Sequence, residues 1–487
     1  MTTADVPPGD GLALALADVP DEQRRAGVRW EPASGPLLVL GGPASGRSST
    51  LLAVAAGASR AGAHVHTVGL PEATVRAVSD ARTLGTVLPA DDAHRTGLLL
   101  DRLHGAVGAG APAVLVVDRL DVLLETLGRH ARGVAADLLV ATWRDPAPGL
   151  SLAASAAVVP AVTRLLGDFP TRLVLPVVDA SADALAGVPA HLATVRTTPG
   201  RAVVTGAGPA RVCQVVLPPP DRAGDDATPG DGTAVPGAPV RVARLPDHAP
   251  PPAPTRAADG AVVVPLGVGG DDGGPVHADA SRPLVVAGPP GSGRTTALLA
   301  VARAWAAAGH HVLRLAPASA REDDGEDAPW TTVGPGVPPT PPDGDASTVL
   351  VVDDVDELER TAPRAADAVD DLLHAPRPRV VALATTSAHA AGAFRGPVAT
   401  ALRSRLVVVL DPHDGDATAL LGPGAALHGD PACRLPGRGV LRRDRALRRV
   451  QVHAAGPADR ATIGRTAEPV AEPGAEPVAG PGDGRPP

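Results

Sequence analysis

The chain contains no lysine, no asparagine and no tyrosine, a single isoleucine (Ile463), two phenylalanines and one methionine. Those residues share A/T-rich codons, so a GC-rich genome is the plain reading, and all 44 of the Lys-plus-Arg positions are arginine. Only two cysteines occur, Cys213 and Cys433, far apart in sequence. That excludes a disulfide framework and a cysteine-rich metal site, and both read as small core residues. No apolar run reaches the roughly 18 residues a membrane-spanning helix needs, and no basic segment followed by an apolar core opens the chain. A cytoplasmic location is therefore expected, with any membrane attachment made through a partner. The formal net charge of −9 argues against a broad nucleic-acid surface and leaves room only for a local basic stripe. A length of 487 residues suits two or three domains, each large enough for its own core.

Against these absences stand two glycine-rich stretches. One is Gly288-Pro289-Pro290-Gly291-Ser292-Gly293-Arg294-Thr295, directly after the apolar run Pro283–Ala287. The other is Gly41-Gly42-Pro43-Ala44-Ser45-Gly46-Arg47-Ser48, after Leu37–Leu40. Each reads as a buried strand, a tight turn and then a helix, expected over Ser48–Ala61 and Thr295–Ala308. Glycines let successive backbone N–H groups curl around an anion, and the helix N-terminus adds its positive end. Both stretches fit the P-loop spacing, with arginine where the pattern has lysine. Arginine keeps the charge, but its planar fork meets phosphate differently from an ammonium.

In P-loop chemistry the hydroxyl after the basic residue and an aspartate at a nearby strand end share a Mg²⁺ ion. Ser48 with Asp118 would serve the first site, and Thr295 with Asp353 the second, for ATP and Mg²⁺ as cofactors. The aspartates close the run Ala113–Val117 and the recurring Val349-Leu350-Val351-Val352, which read as parallel strands buried on both faces. The next residue differs between halves: Asp354 is a candidate water-activating carboxylate, whereas Arg119 accepts no proton. The first site thus reads as unable to hydrolyse ATP by the usual route and the second as weak. Asp353, Asp354 and Thr385 are the candidate catalytic set. Thr385 and Thr386 stay open between a γ-phosphate sensor and a polar strand end, and both loops stay open to the plainer role of structural turns. Arg403 and Arg405 suit a solvated helix end better than an arginine finger, and His310 and His311 suit surface or capping roles.

The two halves repeat one unit. His64-Val65 and His311-Val312 stand at identical offsets from their loops, and Val-Leu-Val-Val-Asp recurs at Asp118 and Asp353. Each half closes on a hairpin signature, Pro199-Gly200-Arg201 with Gln214 and Pro436-Gly437-Arg438 with Gln451. The expected organisation is a first module over residues 1–217, a Pro/Gly-rich linker over 218–259, a second module over 260–453 and a disordered tail over 454–487. Residues 1–30 read as mixed, Leu120–Trp143 as one helix, and 317–347 as a polar insertion.

Taken as a set, Leu16–Gln23, Gly288–Thr295, Val351–Asp354, Val264–Asp272 and the two Pro-Gly-Arg hairpins resemble the FtsK/SpoIIIE ATPases, most closely the last two modules of EccC-like type VII secretion ATPases. The resemblance covers most of residues 11–453. It implies an α/β fold of two tandem RecA-like P-loop NTPase domains, with mainly parallel sheets, helices on both faces and a β-hairpin ending each. It also implies a homo-oligomer (a hexameric ring in that family), a membrane-anchored motor subunit and small helical secreted substrates as partners. A regulatory or cargo-docking role with weak or no hydrolysis is the favoured expectation; a DNA translocase, with DNA as partner, and a nucleotide-free scaffold are the alternatives.

Overall fold

The computed structural model describes residues 1–106, 112–177, 179–193, 198–206, 208–217, 237–249, 255–256, 262–279, 282–317, 328–336, 348–374, 380–413, 415–430 and 433–453. The proposed tail lies outside them, as do residues 218–236, 250–254 and 257–259 of the proposed linker and residues 260–261 of the proposed second module.

The first half supplies ten strands: β1 Leu12–Val19, β2 Arg24–Trp30, β3 Leu37–Leu40, β4 His64–Val68, β5 Leu84–Leu88, β6 Ala113–Val117, β7 Leu150–Ala156, β8 Thr171–Val174, β9 Arg201–Gly206 and β10 Arg211–Val215. They form one sheet in the order β2-β1-β10-β9-β8-β3-β7-β6-β4-β5. From β8 to β5 all pairings are parallel, and β9, β10, β1 and β2 continue the sheet antiparallel. All residues of β3, β4 and β6 are buried, as expected where helices cover both faces. Separate apolar cores fill the two sides, one around Leu38, Leu115 and Trp143, the other around Val39, Leu51 and Val116.

The second half repeats the plan. Its strands are β11 Thr255–Arg256, β12 Val262–Gly269, β13 Gly274–Asp279, β14 Leu284–Ala287, β15 His311–Leu315, β16 Thr331–Val333, β17 Thr348–Val352, β18 Val380–Thr385, β19 Leu406–Leu410, β20 Arg438–Arg443 and β21 Ala446–Val452. The order is β11-β12-β21-β20-β19-β14-β18-β17-β15-β16, with β13 on β12. In each sheet the strand leading into the glycine loop lies between two parallel neighbours, and the hairpins β9–β10 and β20–β21 close the modules. The expected fold class is the one observed.

Several local expectations differ from the structure. Residues 1–30, read as mixed, carry the hairpin β1–β2; it pairs through β1 with β10, a partner some 200 residues away that no local pattern announces. The helix expected over Leu120–Trp143 is two, Leu120–Arg129 and Val134–Arg144, because Ala131, Arg132 and Gly133 all adopt positive φ between them. Inside the polar insertion, Thr331–Val333 pairs with β15 as the sheet edge. Within the proposed linker, Val242 and Leu245 are each only 3% exposed. There Thr86 Oγ1 donates to the Val240 carbonyl at 2.9 Å and accepts from the Val242 N–H at 3.0 Å. An extended chain with apolar residues at 240 and 242 has an open face of β5 to cover, and that outweighs its proline-rich surroundings.

The modules touch. The short helix Ala425–His428 packs on the helix Ala93–Ala106, placing Leu427 in the first module's core, and Arg102 Nε donates to Asp271 Oδ2 at 2.5 Å. No helix among the described residues is long and apolar enough to cross a membrane.

Candidate functional site: two glycine loops facing buried aspartates

Each glycine loop leaves the carboxyl end of a central parallel strand and turns into a helix, Arg47–Arg60 or Arg294–Ala307. Gly41 and Gly288 occupy matching corners: a Cβ on either would stand 2.4 Å from Ser45 Oγ or Ser292 Oγ, so only glycine fits. Gly46 and Gly293 cap the helices at φ 104° and 94°. Between them the loops diverge. Gly291 takes φ 80°, whereas the equivalent Ala44 is held at φ 54°, a left-handed conformation that costs a side-chain-bearing residue about 1–2 kcal/mol.

Both loops carry buried polar atoms with no partner in the protein, Ser45 Oγ and Arg47 Nη1 in the first, Ser292 Oγ and Arg294 Nη1 in the second. Leaving such donors unmet costs about 1–3 kcal/mol each, which an anion seated in the loop would relieve. The cradles therefore fit a phosphate. The arginines differ, however. Arg294 Nη2 is paired with Asp354 Oδ1 at 3.1 Å, while Arg47 makes no ion pair among the described residues.

The aspartates differ more. Asp118 Oδ2 accepts from Ser48 Oγ at 2.7 Å, and Asp118 Oδ1 accepts from Ser155 Oγ on β7, which itself accepts the Arg119 N–H at 3.1 Å. Asp353 is fully buried; its Oδ1 accepts from Thr295 Oγ1 at 3.2 Å and its Oδ2 from Arg314 Nη2 at 2.8 Å. Arg314, on β15, is itself 0% exposed. Strand register shows what has been exchanged. Thr67 on β4 stands where β15 has Arg314, and Ser155 stands beside Val39 where Ala384 stands beside Val286. The first module holds its aspartate with hydroxyls, the second with a guanidinium.

The fit to Mg²⁺ follows from this. Ser48 and Asp118 form a hydroxyl–carboxylate pair with no ion-pair partner for the carboxylate among the described residues, suited to a hydrated magnesium ion beside a phosphate. At Thr295 and Asp353 the cation's place in the charge balance is already taken by Arg314, and a divalent ion there would face a buried guanidinium. The second site does not fit the metal, and no step is derived through it. Neither site gathers three or more His, Cys, Asp or Glu ligands among the described residues.

The position after each aspartate is left-handed in both modules, Arg119 at φ 63° and Asp354 at φ 43°, and each opens a helix. Arg119 is exposed. Asp354 is pressed against Arg294; burial, then the neighbouring Asp353, hold its carboxyl above the ordinary aspartate range, with Arg294 opposing. Thr385 ends β18, fully buried, with its hydroxyl directed at Asp356 Oδ1 3.4 Å away. Thr386 donates to Asp356 Oδ2 at 3.2 Å and caps the helix Ser387–Gly392 by accepting the His389 N–H. Gly437, at the base of the closing hairpin, donates its N–H to the Ser292 carbonyl at 2.8 Å, tying hairpin to loop. Arg403 and Arg405 are exposed after the helix Gly396–Leu402, and His310 rests on the Trp305 ring with centroids 4.7 Å apart. Sequence reasoning missed Arg314, Ser155 and Asp356. Arg314 alone left a trace, as a charge inside the apolar run of β15.

A family model described as an AAA domain matches residues 276–333, which span the second glycine loop. No match was found among curated proteins. Among solved structures, EssC (ATPases 2 and 3) from Geobacillus thermodenitrificans aligns over 93% of this chain and 98% of its own, with a TM-score of 0.55 at 13% identity. Thermomonospora curvata EccC (ATPases 2 and 3), solved with a signal sequence peptide, aligns over 91% of this chain and 93% of its own, with a TM-score of 0.52 at 18% identity. The cytoplasmic domain of the Thermomonospora curvata type VII secretion ATPase EccC aligns over 91% of this chain and 60% of its own, with a TM-score of 0.51 at 19% identity. The fold of this chain is thus that of tandem P-loop ATPase domains, as in the second and third ATPases of EssC and EccC.

Proposed function

We propose that the chain is an ATP-binding tandem module of a type VII secretion-like motor, which regulates that motor or docks its cargo and turns ATP over weakly or not at all. The observation that carries this reading is the first site: a glycine cradle and an Arg47 without an ion pair among the described residues, facing a Ser48–Asp118 pair that no described arginine neutralises. Mg²⁺ bound there would neutralise phosphate charge, while Arg47 and the loop N–H groups hold the anion. Arg119, where a water-activating carboxylate would stand, offers no base, so binding there is separated from hydrolysis. In the second module Asp354 is engaged by Arg294 and Asp353 by Arg314. Any nucleotide held there binds without the metal and turns over slowly at most. Two sites with the cradle but without the base suit a switch better than an engine. Small helical secreted substrates as cargo and a membrane-anchored motor chain as partner belong to this reading; that Thermomonospora curvata EccC, of the same fold, was solved with a signal sequence peptide supports peptide docking. A ring of like chains remains part of the same proposal.

Titration of the full chain with ATP, with and without Mg²⁺, and a turnover assay with and without duplex DNA, test it. Mg²⁺-dependent binding with little turnover is expected. No binding would leave a nucleotide-free scaffold, and rapid turnover stimulated by DNA and lost at high salt would make the chain a translocase.

A further inference from the structure

Between the modules lies a cavity of about 540 Å³ that neither glycine loop lines. The first module contributes His94, Arg95 and His130, the second His428, Arg438 and Arg449, and the connecting segment closes one side with Arg244 and Leu245. Arg449 is only 5% exposed. Its Nη2 donates to the carbonyls of Ala243 and Gly270 at 3.1 and 3.2 Å, but its Nε has no acceptor, and it makes no ion pair among the described residues. Arg438 is similar: Nη2 donates to the Pro246 carbonyl at 2.9 Å, Nε has no acceptor, and the nearest carboxylate contact is a long 3.8 Å to Asp247. Asp92, which borders the cavity, is occupied by Arg95 at 2.6 Å. Asp91 and Asp430 also border it.

The three histidines are buried, each less than a tenth exposed. Burial pushes all three below the ordinary histidine value, His94 to about 2, so they add no charge. His428 Nδ1 lies 3.1 Å from the Gly424 carbonyl; a carbonyl only accepts, so Nδ1 carries the proton and Nε2, without a partner, presents a lone pair. His94 Nδ1 and His130 Nε2 are likewise unmet. Burying a guanidinium with no carboxylate in direct contact is unfavourable, and burial drives Arg449 down to about 10, with Asp271 and Asp92 opposing from farther away. What the cavity lacks is an acceptor for the Nε–H groups of Arg438 and Arg449. A phosphate group matches two guanidinium N–H donors in shape and charge. The volume lies within the roughly 300–1,000 Å³ of small-molecule sites, larger than the ion alone requires.

We propose that this seam cavity binds a small phosphorylated molecule, its oxyanion held by the Nε–H groups of Arg438 and Arg449 and its remainder set among the three imidazoles. Because both modules furnish the walls, the ligand clamps them together. It also reaches the second glycine loop, since Arg438 follows Gly437, whose N–H is bonded to the Ser292 carbonyl.

The test uses the full chain carrying Arg47→Ala and Arg294→Ala, so that neither glycine loop contributes, and inorganic phosphate as probe in calorimetric titration. Phosphate binding is expected to persist in this background and to slow amide exchange in the helices Ala93–Ala106 and Ala425–His428. Arg449→Gln is expected to weaken it by about ten- to a hundredfold, the loss of one charged hydrogen bond. Should Arg449→Gln fail to fold, the half-buried Arg438→Gln decides, with a similar loss expected. Phosphate binding that disappears with the loop arginines, or that Arg438→Gln leaves unchanged, overturns the proposal without touching the reading of the glycine loops as nucleotide sites.

Discussion

The two modules share strand order, loop geometry and the aspartate position, yet they neutralise that aspartate by opposite means. In the first, Ser48 and Ser155 hydrogen-bond Asp118 and leave its charge available. In the second, Arg314 consumes the charge of Asp353 in a pair with no solvent exposure on either side. A buried ion pair of this kind rarely adds net stability over an apolar substitute, but breaking it on one side is severe. One fold thus holds a site open to a cation and a site with a cation built in. The half with a second acidic residue, Asp354, looks from sequence the more capable of chemistry. The arrangement of charges reverses that order for metal binding, because Arg314 already neutralises Asp353, while Asp354 and Arg294 are paired with each other.

The largest expected break in this comparison is Asp353→Ala, which leaves Arg314 buried and unpaired and should cost about 3–5 kcal/mol in urea unfolding. Asp118→Ala loses two hydroxyl hydrogen bonds and should cost about 1–3 kcal/mol while abolishing the Mg²⁺ dependence of nucleotide binding. Equal losses of stability in the two variants would remove the distinction drawn here. Next, Arg47→Ala should weaken ATP binding by about tenfold or more in calorimetry, a charged hydrogen bond being worth about 1.5–3 kcal/mol. Arg294→Ala should do less, since that guanidinium is already paired with Asp354.

A smaller effect comes from the loops themselves. Ala44→Gly relieves a left-handed alanine and should raise stability by about 1 kcal/mol, and Gly291→Ala should lower it by a like amount. Space is not at issue at Gly291, where a Cβ meets nothing within 4 Å, so the backbone angle alone is tested. The smallest effect concerns pH. With its pKa raised in the folded state, Asp354 binds its proton more tightly there than in the unfolded chain, so stability falls as pH climbs from the ordinary aspartate value to the raised one. Asp354→Asn should flatten the stability–pH curve across that window, and it should also release Arg294 and strengthen ATP binding in the second module. A slope unchanged in this variant would assign it to other carboxylates.

The duplication, the glycine loops, the strand-end aspartates and the closing hairpins were all legible in the chain. Each rests on a local pattern: an apolar run for a strand buried on both faces, glycine where φ must be positive, a helix starting as the loop ends. Less legible were the hairpin β1–β2, whose alternation is blurred by alanine, and the segment around Val242 and Leu245, whose apolar residues sit in a proline-rich context and need a distant surface to bury them.

What tertiary structure alone decided is who stands beside each aspartate. Ser155 lies 37 residues from Asp118 and Arg314 lies 39 from Asp353, on strands at opposite flanks of the aspartate's own strand. Strand order and register bring them together, and neither is written in the neighbourhood of the residues concerned. Local sequence fixes backbone shape because steric limits on φ and burial of apolar runs act within a few residues. The charge state of a buried group answers to whichever side chain the fold sets next to it, however distant in the chain.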